Sequence, residues 1–167
     1  DVNSKNRGYT CLHIAVFHAI PALVDFLLAA GAEVDAIAHG HTPLHFAAYA
    51  APEESMLVSH KGPKLRNSRN KWASELDRAY ANITRQLVAA GADVDAQDEN
   101  GKTALMIAAR RGGEHGAGMM RLLVDAGADA NKQDKDGWTA LTLAARWGGE
   151  PGPRVGRVGR ARGAEDA

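Results

Sequence analysis

The chain has 167 residues, with 20 Lys plus Arg against 20 Asp plus Glu and a single cysteine, Cys11. That length supports one domain with a real core, and zero net charge removes any global pull toward nucleic acid or an anionic membrane, leaving only local patches. No apolar run approaches the roughly 20 residues that span a bilayer, and a lone cysteine forms no intrachain disulfide, so a reducing setting, intracellular and cytoplasmic, is expected. The chain opens at Asp1 in what reads as the middle of a motif, as a trimmed piece would, which leaves room for a targeting segment beyond it.

In chain order, the first predicted element is a short helix opened by Thr10-Cys-Leu-His13, with Leu12, Ala15 and Val16 on one face. Pro21 then opens a second helix carrying Leu23, Val24, Leu27 and Leu28, and Gly31 closes it. Both phrases return. Thr42-Pro-Leu-His45, Thr103-Ala-Leu-Met106 and Thr139-Ala-Leu-Thr142 repeat the first; Leu87-Val-Ala-Ala-Gly-Ala92 and Leu123-Val-Asp-Ala-Gly-Ala128 repeat Leu27-Leu-Ala-Ala-Gly-Ala32. Gly31 leads to Thr42, Gly91 to Thr103 and Gly127 to Thr139 over nearly constant intervals, so the period is a structural unit. The polar segments between, such as Asp93 to Gly101, predict extended arms with a tight turn.

Four units follow, at about 2–36, 37–96, 97–131 and 132–147, together one repeat domain over 1–147. The second carries an insertion at 51–79, whose Pro52, Gly62, Pro63 and Asn67 to Asn70 read as loop. Beyond it, Trp72, Leu76, Tyr80, Ile83 and Leu87 keep a spacing of three or four, which predicts an unusually long helix starting near Lys71 or Trp72. The third unit has a short Gly-rich insertion at Gly113 to Gly118, expected as a loop. The fourth keeps only its first helix, Thr139 to Trp147; the Gly/Arg-rich tail 148–167 lacks a periodic apolar face and is expected to be disordered.

At this point the chain resembles the ankyrin repeat family. The family's Asp-x-x-Gly-x-Thr-Pro-Leu-His-x-Ala-Ala is matched in large part by Asp98 to Ala109, and its Gly-Ala-Asp-Val-Asn by Gly127 to Asn131; the likeness covers roughly 2–50 and 80–147. It implies an all-α repeat solenoid of stacked helix pairs with β-hairpin loops, stabilised by contacts between neighbours. It also implies that Thr and His of the first phrase hydrogen-bond locally and fix the turn into the helix. Met106 and Thr142 replace that His, so the third and fourth turns are expected to be less tightly tied.

Enzyme and metal chemistry find no support in the residues. Gly112 to Gly118 lacks the preceding strand and the Lys-Ser/Thr end of a phosphate loop, and Cys11 has no base placed to activate it. His39, His41 and His45 have no cysteine or carboxylate at zinc-ligand spacing. The expectation is no catalytic residue, no cofactor and no metal.

The resemblance implies recognition of another protein through the hairpin tips and exposed first-helix positions, by a monomer without a small-molecule substrate or membrane contact. Those positions include Tyr9, Phe17, His18, His41, Tyr49, Lys102, Arg110, Arg111, Trp138, Arg146 and Trp147, with Asn6, Arg7, Ala38, His39, Glu99, Asn100, Lys135 and Asp136 beside them. Trp, Tyr and Arg dominate binding hot spots, and Trp138 is the favoured anchor. A second reading is a regulatory or targeting domain of a larger enzyme or multidomain protein. Nucleic-acid contact through the basic stretch Lys61 to Lys71 and the Arg-rich tail is the weaker third.

Overall fold

The structure, a computed structural model, describes residues 1–49 and 68–147. The proposed loop of the insertion, most of the basic stretch Lys61 to Lys71 and the tail 148–167 lie outside the described residues. Within them stand α1 (Cys11–Phe17), α2 (Pro21–Ala29), α3 (Pro43–Tyr49), α4 (Ser68–Ala89), α5 (Ala104–Arg111), α6 (Gly113–Asp125) and α7 (Ala140–Trp147). Helices α1, α3, α5 and α7 form an inner row, each packed on the next, and α2, α4 and α6 form an outer row behind them. This is the expected all-α solenoid.

The apolar positions of the two phrases build its core. Leu12, Leu44 and Leu105 are 1–3% exposed, and Ala15, Ala47 and Ala108 beside them are fully buried. Alanines in this row let the inner helices approach closely, while Leu27, Leu87 and Leu123 fill the space toward the outer row. Each buried Leu contributes about 1.5–3 kcal/mol over an exposed one. Leu141, the fourth member of the inner Leu series, is 75% exposed, because no described outer helix covers α7.

Two buried imidazoles join the repeats. In the first, His13 Nδ1 accepts from the Thr10 hydroxyl at 2.8 Å and the Thr10 backbone N–H at 3.4 Å, while the His13 N–H reaches Thr10 Oγ1. With Nδ1 an acceptor, the ring proton sits on Nε2, which donates to the carbonyl of His41 in the next repeat at 3.2 Å. His45 does the same with Thr42 and reaches the Lys102 carbonyl at 3.0 Å. The capping box expected to act locally is therefore also a link between repeats. Met106 keeps only the one-way cap, its N–H donating to Thr103 Oγ1 at 3.3 Å. Thr142 corrects the expectation for the fourth repeat: its hydroxyl accepts from the Thr139 N–H at 2.8 Å, and its own N–H donates back to Thr139 Oγ1. A hydroxyl restores the box, but it is too short to reach a neighbouring repeat.

The hairpin loops are minimal, single bridges Asn6–Tyr9 and Ala38–His41 with no strand among the described residues. Their tips are two residues long. Arg7 and Gly8, then His39 and Gly40, all have positive φ, as a type I′ turn demands. The third and fourth tips are one residue longer, and only Gly101 and Gly137 are left-handed there. Asp98 and Asp134 organise them, each Oδ1 accepting two backbone N–H groups within 2.8–3.0 Å.

Two boundaries differ from the sequence expectation. Helix α4 starts at Ser68, ahead of Lys71 or Trp72, so the end of the 51–79 insertion is helical. Its first turn is polar and could leave no apolar periodicity. The Gly-rich segment 113–118 is the opening of α6 and not a loop. Gly112 and Gly113, both with positive φ, reverse the chain between α5 and α6, and glycine at 116 allows the two backbones to touch. A Cβ on Gly116 would lie 2.6 Å from the Ala108 carbonyl oxygen, whereas one on Gly118 meets nothing within 4 Å.

Gly116→Ala should therefore destabilise the fold by about 1–3 kcal/mol, the usual cost of overpacking, even after the helix-propensity gain. Gly118→Ala should stabilise it by up to about 1 kcal/mol. Urea denaturation followed by circular dichroism distinguishes the two signs.

Candidate functional site

The surface residues selected from sequence fall at two recurring places. One is the residue just before each phrase-opening Thr, occupied by Tyr9, His41, Lys102 and Trp138. The other is the end of each inner helix, occupied by Phe17 and His18, Tyr49, Arg110 and Arg111, and Arg146 and Trp147. The turn holds the first set and the helix C-terminus the second, so the fold presents both along the same side of the stack.

Across the first two repeats these side chains join an aromatic chain. The Tyr9 ring lies 4.7 Å from His39 and 5.9 Å from Phe46, and Phe46 lies 5.2 Å from His13. His41 continues the chain to Phe46 at 6.2 Å and Tyr49 at 5.3 Å. Tyr9, His13, Ile14, Phe17, His18 and Phe46 line a cleft of about 260 Å³. Ile14 and Phe46 were missed in the sequence because they occupy the position after His in the first phrase, where Ile107 and Leu143 are 4% exposed core residues. That side chain leans on the preceding repeat: Phe46 packs on Tyr9 and His13, while Ile14, with no repeat described before it, stays 43% exposed.

The last two repeats carry a second cluster. The Arg146 guanidinium carbon sits 5.1 Å from the Trp138 ring centre and 4.7 Å from that of Trp147, and the two indoles are 5.5 Å apart. Trp138, Arg146 and Trp147 are thus brought together, with Trp138 partly covered rather than a free-standing anchor. Arg110 is exposed in the last turn of α5, on the side of Tyr49, whose phenol pKa is pushed up by burial and by the Asp98 charge and held down by Arg110.

The three histidines considered for a metal are already occupied or separated. His45 is in its capping box, and His39 Nε2 meets the Arg7 carbonyl at 3.1 Å. His41 Nδ1 stands 3.7 Å from Asp98 Oδ2 inside the stack, and each of those atoms lacks a hydrogen-bond partner, an arrangement that becomes an ion pair when His41 is protonated. No cluster of three metal-ligating side chains exists among the described residues. On the outer row, a pocket of about 330 Å³ between α4 and α6 holds a hydrogen bond of 2.7 Å between His115 Nδ1 and Asp77 Oδ1. Sequence reasoning passed over it, since the two residues come from different repeats.

Two family models match the chain: Ankyrin repeats (3 copies) over residues 72–152 and Ankyrin repeat over residues 7–38. The Nuclear factor NF-kappa-B p105 subunit of Gallus gallus is 33% identical over 121 residues. The match covers 66% of this chain and only 12% of that relative's length.

The imidazoles of the stack make its stability acid-sensitive. Burial lowers the pKa of both His13 and His45 from the ordinary 6.5, against the raising effect of their carbonyl partners. A depressed histidine favours the neutral folded form, so its contribution is complete above pH 6.5 and is lost as pH falls below that value and protons bind the unfolded chain preferentially. Protonation at Nδ1 would also abolish acceptance from Thr10 or Thr42. Thermal melting temperature should therefore fall between pH 7 and 5, and a His13→Gln, His45→Gln variant, less stable at pH 7.5, should show a shallower fall.

Proposed function

Because the chain belongs to the ankyrin repeat family, whose repeats generally serve as protein–protein interaction modules, we propose that it binds another protein through its inner face and turn tips and catalyses nothing itself. The observation that carries this reading is the cleft of Tyr9, Ile14, Phe17, His18 and Phe46, an open apolar and aromatic surface on a rigid stack. Phe17 is 43% exposed and Tyr49 42%, more apolar surface than folding of the stack alone requires. Aromatic side chains of this kind supply large contact area at low entropic cost. Trp138 and Arg146 extend the face at its other end.

The protein acts as a monomeric scaffold, and its free, exposed Cys11 suits a cytoplasmic setting. No described helix is long and apolar enough to cross a membrane. A second reading, a regulatory or targeting domain of a larger protein, draws on the relative from Gallus gallus, in which the matching segment is 12% of the whole. Nucleic-acid binding gains no observation from the described residues.

The test is affinity capture from cell lysate with wild type, a Phe17→Ala, Phe46→Ala variant and a Trp138→Ala, Arg146→Ala variant, after circular dichroism has shown that all three fold. A protein captured by wild type should be lost about 30-fold or more with the first variant, as for hot-spot truncation. Unchanged capture by both variants would remove the inner face as the binding surface.

A further inference from the structure

The inner row of helices is electrically lopsided. Across α1, α3, α5 and α7 there is not one Asp or Glu, while the outer row carries Asp25, Glu75, Asp77, Glu114 and Asp125. The cations of the inner row are confined to its second half, in the last turns of α5 and α7. Lys102 stands at the adjoining turn. The first half instead presents the aromatic cleft.

Lys102, Arg110 and Arg146 are not used up by the fold. The side-chain contacts of cationic or imidazole nitrogen with carboxylate are His41–Asp98 and His115–Asp77, and Lys102, Arg110 and Arg146 have no carboxylate within 4.0 Å among the described residues. Nearby carboxylates are directed elsewhere. Asp98 is buried in its own turn, and Glu99 lies over Gly40 of the preceding tip, where a Cβ would meet its side chain at 2.5 Å. Asp136 remains exposed at the fourth tip. Arg146 is the most informative. Its guanidinium rests against both Trp138 and Trp147, which sit side by side. The in-plane N–H fork of a stacked guanidinium stays available, and that edge matches a carboxylate bidentately.

We infer that the partner segment is acidic and polarised: an apolar or aromatic side chain seats in the cleft of the first two repeats, and Asp or Glu residues further along it meet Arg110, Arg146 and Lys102. This rests on the inner-face reading above and adds the chemistry of what that face accepts. Zero net charge over the whole chain makes the attraction local, which sets the orientation of the segment as well as its affinity.

The probe is a random 12-residue peptide library displayed on phage, selected on the folded full chain and, in parallel, on an Arg110→Glu, Arg146→Glu variant and a Phe46→Ala variant. Wild type should enrich peptides that combine an aromatic or aliphatic residue with Asp or Glu at a distance from it. A synthetic peptide of that kind, followed by fluorescence anisotropy, should bind the double-Glu variant at least tenfold more weakly and the Phe46→Ala variant also more weakly. Its Lys-for-Glu version should gain affinity for the double-Glu variant. Should enriched peptides be apolar but uncharged or basic, lost with Phe46→Ala and indifferent to the Arg reversals, the acidic partner is refuted while the inner-face reading stands. Displacement of the peptide by a 12-nucleotide single strand of DNA at equal concentration would overturn the acidic partner in favour of nucleic acid. Enrichment no greater than on an unrelated protein, or peptides untouched by every substitution, would overturn both. A single Arg110→Glu variant, clear of the Trp stack, guards against misfolding of the double one.

Discussion

A neutral imidazole with two distinct nitrogens holds the register of this stack. One nitrogen accepts, closing a turn within its own repeat; the other donates, reaching a backbone carbonyl of the next. Only the neutral tautomer with its proton on Nε2 performs both tasks at once. A charged imidazole would lose its acceptor, and a neutral one with the proton on Nδ1 would lose its donor. Burial of His13 and His45 at 0–1% exposure selects the form that works. The small alanines beside them then allow the inner helices to come within reach.

Much of this was legible because the chain says the same thing four times. Leu12, Leu44 and Leu105, with the alanines that follow, announced the inner face, and Gly31, Gly91 and Gly127 announced the ends of outer helices. What escaped was whatever depended on a neighbour. Gly116 looked like a loop residue because a glycine's usefulness for close backbone approach is invisible until the second backbone is in place. The start of α4 at Ser68 escaped because its first turn is polar. Thr142 looked like a loss because a Thr resembles His only in the single hydrogen bond that the turn requires.

The face itself was read less well than the fold. Of the side chains lining the cleft, Tyr9, Phe17 and His18 were selected from the sequence, whereas Phe46 and Ile14 share a sequence position with the core residues Ile107 and Leu143. Whether that position is core or surface depends on which repeat stands before it. The cationic cluster had the opposite history: its members were all visible, but not the contact of Arg146 with two adjoining indoles that turns three separate hot-spot candidates into one unit. The same scaffold thus carries two kinds of surface, one shaped by apolar contact and the other by charge held on aromatic support.

The imidazole link is present between the first and second repeats and between the second and third, but Met106 ends it there. Chains that stack in one dimension open from wherever coupling is weakest, because no distant contact stands behind a local one. Amide protons of α7 should thus exchange with solvent through excursions confined to the fourth repeat, while those around Leu12 and Leu44 wait for the whole stack to come apart. A partner that met Trp138 and Arg146, as proposed above, would slow exchange in α7 far more than around Leu12 and Leu44.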